Sequence, residues 1–83
     1  MQTIRIVEER APYLLISYRA TFAVVERRNG KLYSLHGGPR APAPMTPAGA
    51  QAVVGTDWSD EKSARRVFND VVARYAELAE RLW

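Results

Sequence analysis

The stretch from Ser59 to Trp83 constrains the fold more than any other part of the chain. Apolar residues fall at Ala64, Val67, Phe68, Val71, Val72, Tyr75, Leu78, Ala79 and Leu82. The i, i+3, i+4, i+7 spacing is one face of a helix with a 3.6-residue period. At 100° per residue, Ala64, Val71, Tyr75 and Leu82 lie within about 20° of one line, and the whole set spans about 140°. A face that wide must be covered, by the rest of the chain or by a partner. Asp57 or Ser59 can cap such a helix, and Asp60 and Glu61 suit its first turn, where the dipole favours anions. Glu61–Arg65, Arg66–Asp70, Asp70–Arg74 and Glu77–Arg81 are spaced as i,i+4 pairs of opposite charge.

The first half reads as strands. Gln2 to Glu8 alternates, with Ile4 and Ile6 on one side and Thr3, Arg5 and Val7 on the other. Pro12 breaks the pattern, because it cannot donate to a ladder. Tyr13 to Arg19 is almost continuously apolar, as a strand covered on both faces would be. Thr21 to Arg28 alternates again. Asn29-Gly30 then precedes a fourth strand, Lys31 to His36. Asn-Gly is the strongest short hairpin signal, since a type I′ turn needs positive φ at both central residues.

Two glycines and three prolines crowd residues 36–44, a composition that makes a loop. Thr46 then suits an N-cap, Pro47 a first helical position and Gly55 a stop, which predicts a short helix that Gly49 weakens.

These readings predict one α+β domain over residues 1–83. It is a small two-layer domain in which an antiparallel four-stranded meander (1–36) packs against a long C-terminal helix (59–83). A Pro/Gly loop (37–45) and a short helix (46–55) lie between them. Sequential strands usually neighbour one another, which favours the meander, and a helix across one sheet face is the standard way to bury both. A chain of 83 residues buries only about 60–65% of its unfolded surface, so large apolar residues are committed to a core or an interface.

Composition excludes several chemistries. The chain has no cysteine, so disulfides and thiolate metal sites are ruled out. Its single histidine, His36, rules out a histidine metal cluster, and Asp57, Asp60 and Glu61 are not spaced as a calcium loop. Gly37-Gly38 lacks the lysine and further glycines of a phosphate-binding loop. No cofactor or metal is expected. His36 could serve as a general base, but no orienting acid or nucleophile can be assigned, and it reads first as a solvated loop residue. No apolar run is long enough for a membrane span, and the N-terminal charges do not suit a signal peptide, so a cytoplasmic protein is expected.

Charge is the remaining signal. Residues 1–45 carry seven cations against three acids, whereas residues 46–83 carry five against six. Arg27, Arg28 and Lys31 surround the hairpin tip, Tyr33 follows them, and Arg40 lies in the loop. These five are the candidate binding residues. A basic β-ribbon with aromatics can meet an acidic protein surface, enter a DNA groove or stack bases. The net charge of +3 is small for strong nucleic-acid binding, which commonly uses more phosphate contacts. Trp58 reads as a staple of the long helix onto the sheet. Trp83 is a candidate oligomer interface, compatible with a homodimer.

The expected function is therefore a non-enzymatic interaction protein, a small regulator or inhibitor that binds a larger protein partner through the basic hairpin. Its size and architecture are analogous to those of phage and mobile-element accessory proteins. A small nucleic-acid-binding protein using the same patch is the alternative. On this reading the long helix is a scaffold whose apolar arc matches the sheet it covers.

Overall fold

In the computed structural model, residues 3–35 and 42–81 are described, Arg81 by its backbone alone. The strands are β1 (Arg5–Arg10), β2 (Tyr13–Tyr18), β3 (Thr21–Arg28), β4 (Lys31–Tyr33) and β5 (Ala43–Pro44). They form one sheet in the order β1-β2-β3-β4-β5, antiparallel throughout. Helices α1 (Pro47–Val54) and α2 (Glu61–Arg81) follow. The expected meander and long helix are present, with a fifth strand taken from the end of the proline segment. As an outermost pair of residues, β5 can hold Pro44, because an edge position needs no donor on its solvent side.

The two helices occupy opposite faces of the sheet. Leu14, Ile16, Ala23, Val25 and Leu32 point to one side and pack with Ala50, Val53 and Val54 of α1. Tyr13, Leu15, Phe22 and Val24 point to the other and pack with Ala64, Phe68 and Val72 of α2. This explains the unbroken apolar run of β2, since both of its faces are covered. It also adds a layer to the expected pair, because the short helix roofs the face that α2 leaves open.

A β-bulge interrupts β1. Ile6 pairs with Ile16, and Glu8 with Leu15, so Val7 is the extra residue. A bulge sets two consecutive residues on the same side. Val7 thus reaches the α2 core, and Glu8 meets Arg65 of α2 at 3.2 Å. Beyond the bulge Glu9 faces the α1 side, where it pairs with Arg27.

Short-range signals behave as the residue types require. Asn29 (φ 54°) and Gly30 (φ 76°) form the tip of the β3–β4 hairpin. Thr46 caps α1, accepting from the Gly49 N–H at 3.0 Å, and Gly55 closes it at φ 63°. At α2 the cap is Asp60 rather than Asp57 or Ser59: its carboxylate accepts from the Ser63 N–H at 3.1 Å. Hydrogen bonds from the side chain and backbone of Ser63 hold the Asp60 carboxyl below its usual range. Ser59 does not take that role: its carbonyl accepts from the Phe22 N–H at 2.8 Å and its own N–H donates to the Phe22 carbonyl at 2.9 Å, while the Asp60 carbonyl accepts the helical bond from the Ala64 N–H at 3.1 Å. Of the expected i,i+4 pairs, Glu61–Arg65 closes at 3.0 Å.

The β2–β3 turn is unusual in composition. Arg19 (φ 54°) and Ala20 (φ 62°) both adopt left-handed backbone, in a two-residue connection between Tyr18 and Thr21. A left-handed alanine costs about 1–2 kcal/mol relative to glycine. Ala20→Gly should therefore raise stability by about 0.5–1 kcal/mol after its added unfolded-state entropy. The midpoint of urea unfolding should rise at unchanged slope, and a fall in the midpoint would contradict this account of the turn.

Candidate protein-binding surface

The α2 helix starts beside Phe22, at the beginning of β3, and runs in the same direction as that strand. Its later part reaches the other end of the sheet, where Tyr75 meets Tyr13 edge-on, with ring centroids 5.7 Å apart and planes at 85°. Its 21 residues extend roughly 31 Å, whereas the eight of β3 extend roughly 26 Å. The expectation that the sheet covers the whole apolar arc is corrected here. Ala64 and Phe68 are fully covered, but Val67 is 42% exposed, Tyr75 48% and Leu78 58%.

The exposed flank has a definite side. Arg65 reaches Glu8 on β1, so that side of α2 faces β1. Val67, on the opposite side, lines a cavity of about 70 Å³ with Ser34 and Leu35, just past β4. By the 100° step, Val71 and Leu78 share the side of Val67. The apolar flank therefore looks toward β4.

The β3–β4 hairpin supplies the neighbouring wall. Glu26 pairs with Tyr33 and Arg28 with Lys31, and alternation puts these residues on the α2 face. The Arg28 Nε lies 2.7 Å from Glu26 Oε2, and its guanidinium sits 4.6 Å from the centre of the Tyr33 ring. Lys31 is exposed and Tyr33 half-buried. Across from Glu26 on β2 stands Tyr13, whose hydroxyl pKa is raised by burial and then by the Glu26 charge. Arg28 opposes that rise, and Tyr75 adds to it.

The sequence-chosen residues are thus only partly assembled. Arg28, Lys31 and Tyr33 share one face with the distal half of α2. Arg27 points to the other face, where it pairs with Glu9, and its backbone N–H donates to the Pro12 carbonyl at 2.7 Å. Arg40, Trp83 and His36 lie outside the described residues. Periodicity alone puts Val67, Tyr75 and Leu78 on the covered face. For Tyr75 and Leu78 the one sequence signal against the core is length, because the helix pattern is longer than any strand it can lie on; Val67, beside buried Phe68, is exposed because it lies on the flank.

The resulting surface is an apolar helix flank beside a tyrosine-rich shelf, with a cationic rim at Arg28 and Lys31. Apolar atoms ringed by polar groups can bury against a partner, and tyrosines contribute large contact area with a hydrogen-bonding tip. Among the described residues, no group of three or more His, Cys, Asp or Glu side chains is placed to hold a metal ion. Among the same residues, no helix is long and apolar enough to cross a membrane. Comparison with protein-family models, with curated proteins and with solved structures gave no match.

Proposed function

We propose that this protein is a non-enzymatic interaction module, a small regulator or inhibitor that docks on a larger protein. The docking face is the distal half of α2 together with the β3–β4 hairpin. The observation that carries this reading is the exposure of Tyr75 and Leu78 on a helix stripe that is elsewhere core. Ala64, Phe68, Val71, Tyr75 and Leu78 follow spacings of four and three, the repeat that accepts a second helix. The partner element that fits is an amphipathic helix with acidic residues along the side that meets Arg28 and Lys31.

The nucleic-acid alternative at the hairpin has less support. Arg27 and Arg28 are each paired with a carboxylate, which lowers the free positive charge available to phosphates.

Leu78→Glu and the pair Arg28→Glu, Lys31→Glu test the assignment. All three positions are exposed, so circular dichroism should stay near wild type, and loss of the Arg28–Glu26 pair should cost the hairpin variant only about 1 kcal/mol in thermal unfolding. Affinity capture from the native host, quantified against wild type, should lose the same stoichiometric protein at least tenfold in both variants. Equal recovery by all three proteins would remove this surface from consideration. A solution mass of twice the chain that Leu78→Glu halves would replace the larger partner with a second copy.

A further inference from the structure

A second concave site lies on the opposite face of the sheet, away from the docking surface. It is an open cleft of about 420 Å³ between the β2–β3 turn and the C-terminal end of α1, lined by Tyr18, Arg19, Thr21, Gln51, Gly55 and Trp58. That volume falls in the range of small-ligand sites. Alternation along β2 directs Tyr18 to the α1 face, where Trp58 packs against the same core. The two rings stand 6.1 Å apart at 44°, a V rather than a closed stack. The left-handed backbone of Arg19 accompanies a guanidinium 5.5 Å from the centre of the Tyr18 ring. The Thr21 hydroxyl is turned inward, donating to the Tyr18 carbonyl at 2.5 Å. Gly55 closes the helix without a side chain, which keeps that end of the cleft open.

We infer that this cleft binds a nucleotide, with its base against Trp58 and Tyr18 and its phosphate toward Arg19. Three features select that chemistry. Trp58 and Tyr18 line the cleft with aromatic surface against which a flat heterocycle can stack. Among the described lining residues the one charged side chain is Arg19, whose planar guanidinium suits bidentate contact with a phosphate. The Gln51 amide both donates and accepts, as the polar edge of a base requires. A proline-rich peptide would also fit aromatic walls, but its rings carry neither a charge for Arg19 nor an edge for Gln51. The ligand is either a free nucleotide or one unit of a single strand.

Fluorescence of Trp58 in a Trp83→Phe background reads the site alone, since the chain has two tryptophans. Adenosine monophosphate and uridine monophosphate should quench it saturably, with Kd of roughly 0.1–1 mM. Adenosine should bind several-fold more weakly, and inorganic phosphate should not quench. Arg19→Gly keeps a residue suited to the turn and should erase the preference for monophosphate over nucleoside. Gln51→Ala, on an exposed helix position, should weaken both several-fold without altering the fold. A dA12 oligonucleotide that binds at least tenfold tighter per site than the monophosphate identifies a strand as the source, and equal affinity identifies the free nucleotide. Leu78→Glu should leave every one of these titrations unchanged, so this site and the docking surface fail separately. Unsaturable quenching up to about 10 mM, indifference to Arg19→Gly, or tighter binding of a polyproline peptide would overturn the assignment.

Discussion

Gly49→Ala should destabilise the protein by about 2 kcal/mol or more, although the same exchange inside a helix ordinarily stabilises by close to 1 kcal/mol. Gly49 lies in the first turn of α1 and is buried against β5. A Cβ built there falls 2.0 Å from the Pro44 carbonyl oxygen and 3.1 Å from its carbon. No rotamer relieves the contact, because both partners are backbone. The local strand and helix are tied together by short bonds: the Thr46 N–H donates to the Pro44 carbonyl at 2.8 Å, and the Gly49 N–H donates to the Thr46 hydroxyl. Relief requires α1 to lift from the sheet, which opens the core at Ala50, Val53 and Val54. The melting temperature should fall by roughly 10 °C or more for a domain of this size. Ala52→Gly, on the exposed side of the same helix, should cost only about 1 kcal/mol and serves as the control. A Gly49→Ala protein as stable as wild type would show that α1 does not sit as closely on β5 as described.

The same glycine marks where the sequence stops being legible. Read locally, Gly49 weakens a helix; read in place, it permits one to approach a strand. Asn29-Gly30, Thr46-Pro47 and Gly55 were readable because each meets a demand set by its own backbone, a positive φ or an orphan amide. The Val7 bulge, the left-handed Arg19-Ala20 turn and the β5 pairing answer to demands from other elements, which no local pattern records. The burial of both β2 faces was visible in its apolar run, yet which helix covers which face was not. The candidate surface shows the same division. A period of 3.6 residues places Ala64, Phe68, Tyr75 and Leu78 on one face without telling which of them meet the sheet. Only the length of β3 decides that Phe68 is core and Leu78 is surface. The hairpin arginines illustrate the converse, because alternation sends Arg27 and Arg28 to opposite faces, where Glu9 of β1 pairs with the first and Glu26, two residues upstream on β3, with the second.

Phe68→Ala should be the most damaging single truncation on the α2 side. Phe68 is 1% exposed and shares this core with only two other fully buried residues among those described, Leu15 and Ala64. The ring stands among Val7, Tyr13, Phe22, Val24 and Val72, which are themselves only partly buried. Removing it deletes the one large α2 side chain that is wholly inside. Buried Phe→Ala exchanges cost about 3–5 kcal/mol, and a chain this short is expected to have only about 4–12 kcal/mol of stability in total. The midpoint of urea unfolding should therefore fall by more than about 1 M at unchanged slope. Phe68→Leu, which keeps most of the volume, should lose less than about 1.5 kcal/mol. Val67→Ala, one position away on the exposed flank, should lose only about 0.5–1.5 kcal/mol, because 42% of that residue already faces water. This ordering separates the two faces of one helix by measurement: the neighbour that anchors it is costly, and the neighbour on the exposed flank is cheap. A Val67→Ala loss equal to that of Phe68→Ala would place Val67 in the core and not on the exposed flank.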